Sequence, residues 1–141
     1  MVEGPPGDPA SPVVLDTDIL VWYFRGNEQA RRFLAAIPYP DRTCSALTRM
    51  ELIQGCRNRN EIARVKAFAS ENLSAILYPD EDTIHRATRL LGDHALPDGL
   101  RVVDALLAAS ALNADYAVAT GNVRHYRPIR GLRLIEFRPD R

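Results

Sequence analysis

Five short apolar runs, several rich in β-branched residues, alternate along this chain with longer segments of helical periodicity, and that order leaves few folds open. The runs lie near residues 13–16, 43–46, 74–78, 116–120 and 132–137. Apolar spacing predicts helices over Thr17 to Phe24, Glu28 to Ile37, Thr48 to Arg57, Glu61 to Glu71, Asp82 to His94 and Arg101 to Ala114. Helices separate the first four of these strands, which therefore cannot pair as hairpins, so the pattern predicts an α/β domain around a parallel sheet. The last run, Leu132 to Phe137, alternates imperfectly and reads as a half-exposed edge. Pro38-Tyr39-Pro40 and Leu96-Pro97-Asp98-Gly99 punctuate the pattern, and Asp98 is expected to cap the helix that follows it.

Three acids interrupt these apolar segments. Asp16 closes Pro12-Val13-Val14-Leu15 and stands at a strand's carboxyl end, where open α/β sheets place their ligands. Glu51 closes Thr48-Arg49-Met50-Glu51, which by itself fits a capping box. Asp104 shares a helical stripe with Leu107, Ala108, Ala111 and Leu112. A cap at Asp98 would leave Asp104 one to two turns inside its helix, with no local partner for its charge. Asp16-Thr17-Asp18 also reads as a simple helix entry. Taken together, each acid lies near a strand's carboxyl end or a helix's amino end, so one sheet edge can gather all three. Clustered carboxylates repel, and without a cation at least one protonates. Oxygen donors without His or Cys favour Mg²⁺, with Mn²⁺ as substitute, and such ions keep waters and bind phosphate oxygens. That chemistry points to phosphodiesters.

At 141 residues, 46% hydrophobic and 26% charged, the chain suits one domain with one sizeable core. Residues 1–12, rich in Pro and Gly, read as a flexible tail, and 13–141 as the single domain. Eighteen basic and 18 acidic residues cancel, so no global field steers the protein toward nucleic acid. Lys66 is the one Lys among those basic residues and the rest are Arg, for which genomic base composition is the simpler source. Cys44 and Cys56 lack metal-ligand spacing and read as two reduced thiols of a cytoplasmic protein. No apolar stretch approaches the roughly 18 residues of a membrane span.

Val14-Leu15-Asp16-Thr17-Asp18-Ile19-Leu20, Ser45-Ala46-Leu47-Thr48-Arg49-Met50-Glu51-Leu52-Ile53-Gln54-Gly55, Asp104-Ala105-Leu106-Leu107-Ala108-Ala109 and Thr120-Gly121-Asn122-Val123-Arg124-His125-Tyr126 occur in this order. Together they resemble the four motifs of PIN domains, most closely those of VapC-type toxins from bacterial toxin-antitoxin pairs. No single motif is specific, but the resemblance runs from residue 13 to the end of the chain. It implies a three-layer α/β/α sandwich around a parallel five-stranded sheet and Mg²⁺-dependent endoribonuclease activity. It also implies a homodimer and a cognate VapB-type antitoxin that blocks the site. By position, Asp16, Glu51 and Asp104 match the family's acids and Thr120 the hydroxyl of the last motif. Asn122 departs from the pattern, standing where many members carry a fourth Asp. It adds no charge, which puts a second firmly held metal in doubt.

On this reading Asp16 and Asp104 hold the ion, and Glu51 either joins them or holds a water of its shell. Thr120 and Asn122 place water or phosphate. Arg124, Arg127, Arg130, Arg133, Arg57 and Arg59 are candidates for phosphate contacts with RNA held outside a duplex. Trp22, Tyr23 and Phe24 read equally as core packing and as a groove for the antitoxin. His85, His94 and His125 show no metal-ligand spacing and take no catalytic role here. Two other readings stay open: a binding module of the same fold with weak or no turnover, and a phosphatase, since Asp16-Thr17-Asp18 also resembles the opening motif of haloacid-dehalogenase-like enzymes. The latter needs a basic Lys in a later motif, and Lys66 sits in a polar helical stretch instead.

Overall fold

A computed structural model describes residues 12–139. The tail expected over residues 1–12 lies, but for Pro12, outside the described residues. Five parallel strands, β1 (Val13–Leu15), β2 (Arg42–Ser45), β3 (Ala75–Leu77), β4 (Ala117–Thr120) and β5 (Leu134–Glu136), form one sheet in the order β3-β2-β1-β4-β5. Register pairs Val14 with Thr43 on one side and with Val118 on the other. The helices are α1 (Thr17–Phe24), α2 (Glu28–Ala35), α3 (Ala46–Gln54), α4 (Arg59–Asn72), α5 (Glu81–Asp98), α6 (Val102–Ala114) and α7 (Val123–Tyr126).

Strand alternation divides the core into two layers, because successive side chains point to opposite faces. Val13, Leu15, Ala117, Ala119 and Ile135 pack with Ile19 and Leu20 of α1, Leu34 of α2 and Phe68 of α4. Val14 and Val118 face the other way, onto Ala105, Ala108 and Ala111 of α6 and Ala87 of α5. The result is the expected three-layer sandwich. β5 is the expected edge, with Ile135 buried and Glu136 exposed. No helix among the described residues is long and apolar enough to cross a membrane.

Most helix boundaries shift by one to four residues from expectation and the short α7 is additional, but two of the shifts matter to the acids. Helix α5 runs through Pro97 to Asp98 and closes on Gly99, whose φ of 71° is the left-handed conformation glycine adopts freely. Pro97 forfeits one N–H bond, but Gly99 N–H donates to Ala95 and Leu100 N–H to His94, so the terminal turn survives. Asp98 is therefore not a cap for α6. Its Oδ2 stands 2.7 Å from His94 Nδ1, and Arg101 occupies the N-cap of α6 without a side-chain cap bond. Helix α3 starts at Ala46, where Ser45 Oγ accepts from Leu47 N–H. Thr48 and Glu51 consequently lie inside α3, and the capping box does not form.

Candidate active site

Asp16 follows β1 directly, its N–H donating to Ala119 of β4, so its side chain emerges where the two central strands end. It is buried, at 8% exposure. Oδ1 accepts from Thr17 N–H at 2.8 Å, and Oδ2 accepts from Thr120 Oγ1 at 2.8 Å and from the Tyr126 hydroxyl at 3.1 Å. Thr120, the last residue of β4, also accepts from Asn122 N–H at 2.9 Å. That bond folds the turn after the strand back onto the acid.

Asp104 sits in the first turn of α6, since the helix starts at Val102 and not at Asp98. The expected placement one to two turns inside is thus corrected. At a helix amino terminus the backbone dipole favours its negative charge, supplying the support the local sequence lacks. Its Oδ1 lies 3.2 Å from the Tyr126 hydroxyl and its Oδ2 lies 3.3 Å from His125 Nδ1. Asn122 Nδ2 stands 3.3 Å from the same ring nitrogen.

Glu51 is brought to this edge more loosely. It is exposed on α3, and Thr17 Oγ1 lies 2.6 Å from its Oε1 and 3.3 Å from Thr48 Oγ1. Among the described residues, no group of three or more His, Cys, Asp or Glu side chains stands ready to hold a metal ion. The acids that share a partner are Asp16 and Asp104. Arg124 and Arg127 lie exposed at α7, while Arg57 pairs with Glu61 at 2.8 Å. Arg133 lies just before β5, at the opposite end of the sheet, where its Nη2 donates to the Asp115 carbonyl at 2.7 Å. It is not a phosphate contact at this site.

Three neighbours of the acids carried no site role in the sequence reading. Tyr126 and His125 touch them directly, and the available signal was their place on the short helix just after Thr120-Gly121-Asn122. Asp18 is the third. Its Oδ2 accepts from Gly121 N–H at 2.9 Å, and its Oδ1 is buried without a hydrogen-bond partner. The approach is close enough that a Cβ on Gly121 would come within 2.7 Å of Asp18 Oδ2.

The electrostatics follow from this crowding. Burial pushes the Asp16 carboxyl above its ordinary range, and the Asp104 charge adds to that, against hydrogen bonds from Thr120, Thr17 and Tyr126 that oppose it. Burial and the charge of Asp16 push Asp18 up to about 6. The Tyr126 phenol is driven well above its usual value by burial and by both carboxylates, so it stays protonated and acts as a donor. The donors are oxygens, the carboxylates repel, and Asp18 Oδ1, two residues from Asp16, is buried without a partner. Those features fit a hard divalent cation held by Asp16 and Asp104.

Trp22, Tyr23 and Phe24 pack against the first core layer, with the Tyr23 and Phe24 rings 4.8 and 5.2 Å from that of Phe68. Phe24 also borders a cavity of about 600 Å³ between α1, α3 and α4, lined by Val21, Leu52, Glu51, Arg25 and Arg64 among others. Lys66 lines a different depression, with Arg49, Ile53 and Ile76, and does not supply the basic group a phosphatase would need beside Asp16.

The family model of the PIN domain matches residues 13–130. The chain is 33% identical over 117 residues to Ribonuclease VapC19 of Mycobacterium tuberculosis, an alignment covering 80% of this chain and 90% of that protein. Among solved structures it is similar to a toxin-antitoxin complex from Klebsiella pneumoniae, with a TM-score of 0.74 and 25% identity over 90% of this chain and all of the other. DNA-bound VapBC from Salmonella typhimurium shares the fold, with a TM-score of 0.71 and 21% identity over 89% and 98% of the two chains. The sheet order, the paired acids at its carboxyl edge and these matches agree: the chain belongs to the PIN-domain family, among its VapC-type members.

Proposed function

We propose that this protein is the ribonuclease toxin of a toxin-antitoxin pair, cutting RNA by water attack on a phosphodiester with the help of a divalent cation, Mg²⁺ or Mn²⁺. That a VapC-type PIN domain is a nuclease follows from its family. The observation that carries the metal reading is the meeting of Asp16, at the end of β1, and Asp104, in the first turn of α6, at one hydroxyl. When bound there, the cation would lower the pKa of a water and offset charge on the attacked phosphate. Asp16 and Asp104 hold it. Thr120 keeps the Asp16 carboxylate turned toward the edge, and Glu51, steadied by Thr17, is available to accept the proton of the attacking water. Asn122 and Arg124, at the exposed start of α7, position the phosphate.

An antitoxin of the VapB type is the proposed inhibitor, since chains sharing this fold are found in toxin-antitoxin complexes. The cavity beside Phe24 and Glu51, lined by Val21, Leu52 and Val65 together with Arg25, Arg57 and Arg64, is the surface proposed to receive its segment. Exposed Leu96 and Val102 flank the α5–α6 junction and suit a homodimer contact. Free Cys44 and Cys56 suit action in the cytoplasm.

The test is cleavage of total RNA by purified protein with Mg²⁺ and with excess EDTA, alongside Asp16→Ala and Asp104→Ala. Cleavage that needs the ion and both acids is expected. Folded variants that cut as well as the parent would end the metal-nuclease reading.

A further inference from the structure

Tyr126 is the largest fully buried side chain in the molecule's described part, yet its hydroxyl is aimed at two acids. If the position only needed volume, Phe would fill it better. A buried hydroxyl has one proton to donate, and here two carboxylates compete for it at 3.1 and 3.2 Å. The ring cannot swing away, because it is packed in the second core layer with Ile129, Ala105 and Ala108. The two acids otherwise belong to separate elements, one after β1 and one on α6. Asp16 has its own anchors in Thr17 N–H and Thr120, and Asp104 has His125, whereas Tyr126 touches both.

We propose that the Tyr126 hydroxyl is a positioning group for cation binding, a strut that fixes the separation of Asp16 and Asp104. The inference rests on the metal reading above and deepens it. Groups that orient the ligands of an ion typically govern affinity by about 10–100-fold without touching the ion. Loss of the hydroxyl leaves each carboxylate to be placed by its own rotamer freedom and by repulsion from the other.

The test is calorimetric titration of Mn²⁺ into metal-free parent, Tyr126→Phe and Ile129→Val, with thermal melts of all three in EDTA. Ile129→Val loosens the same core layer and leaves every hydroxyl in place. The expected result is an Mn²⁺ Kd for Tyr126→Phe raised about 10–100-fold, with Ile129→Val binding like the parent even though it melts lower. Unchanged Mn²⁺ affinity in Tyr126→Phe overturns the proposal. Equal weakening of Tyr126→Phe and Ile129→Val, in step with their melting temperatures, also overturns it, because packing alone then explains the loss. A parent that binds no Mn²⁺ overturns the metal reading itself, an outcome separate from the other two.

Discussion

Thr17 Oγ1 lies 2.6 Å from Glu51 Oε1, so the residue after the first acid ties the amino end of α1 to the exposed face of α3. Glu51 is held by a side chain 34 positions away and has no share in capping its own helix.

Glu51→Gln should therefore leave melting within about 0.5 kcal/mol of the parent, as surface substitutions usually do. Gln still accepts from Thr17 but cannot take up a proton from water. Cleavage should fall by about 10²-fold or more, the scale of a lost general base. Thr17→Val should show a smaller loss with Glu51 intact. RNA cleavage rates and thermal melts measure both, and full activity in Glu51→Gln would remove Glu51 from the chemistry.

The raised carboxyls at Asp16 and Asp18 fix the sign of the pH dependence. Asp18 moves from an ordinary 3.8 to about 6 because burial and the Asp16 charge disfavour its ionised form. The folded state thus binds protons more readily than the unfolded chain, and metal-free stability should fall as pH rises from about 4 through about 6. The Asp18 difference corresponds to at most about 3 kcal/mol, and its partial exposure lowers this to about 1–2 kcal/mol. Asp18→Asn keeps a carbonyl to accept from Gly121 N–H and should raise the melting temperature at pH 7 in EDTA by a few degrees. Melts of both proteins at pH 4, 5, 6 and 7 would show the gap opening with pH, and a constant gap would contradict it.

Gly121→Ala should be more harmful than its small size suggests. The new Cβ would meet Asp18 Oδ2 at 2.7 Å and the Phe137 carbonyl at 3.2 Å, so the turn must move. A cost of about 1–3 kcal/mol is expected, together with loss of cleavage, since Thr120 and Asn122 ride on that turn. Asp18→Ser in the same protein should recover part of the stability and leave the Phe137 contact. Chemical denaturation of the single and double variants checks this, and a Gly121→Ala protein as stable as the parent would refute it.

Asn122→Asp should change metal binding and metal-free stability in opposite directions. Asn122 stands exposed beside His125, near Asp104, and a fourth carboxylate there adds ligand charge for a cation. Mn²⁺ should bind more tightly to the variant. In EDTA the variant should melt lower, because the added charge faces Asp104 with His125 as its shared partner. Titration and melts that match the parent would place residue 122 outside the metal site.

Much of this was written in the sequence. The alternation of Val13, Val14 and Leu15, and of Ala117, Val118 and Ala119, dictates two core faces, because strand side chains alternate whatever surrounds them. The place of Asp16 and Thr120 at the ends of such runs dictates that they share the carboxyl edge of the sheet. The tertiary structure decided the rest. Whether Pro97 ends α5 depended on bonds from Gly99 and Leu100 closing its last turn, and that outcome moved Asp104 to the first turn of α6. Whether Glu51 capped a helix depended on where α3 began: with Ser45 as the cap, Glu51 falls inside the helix and meets Thr17 of another element instead. The meeting of Tyr126 with Asp16 across 110 positions and with Asp104 across 22 has no local signature at all, since a hydroxyl's partner is set by how two layers close on the sheet.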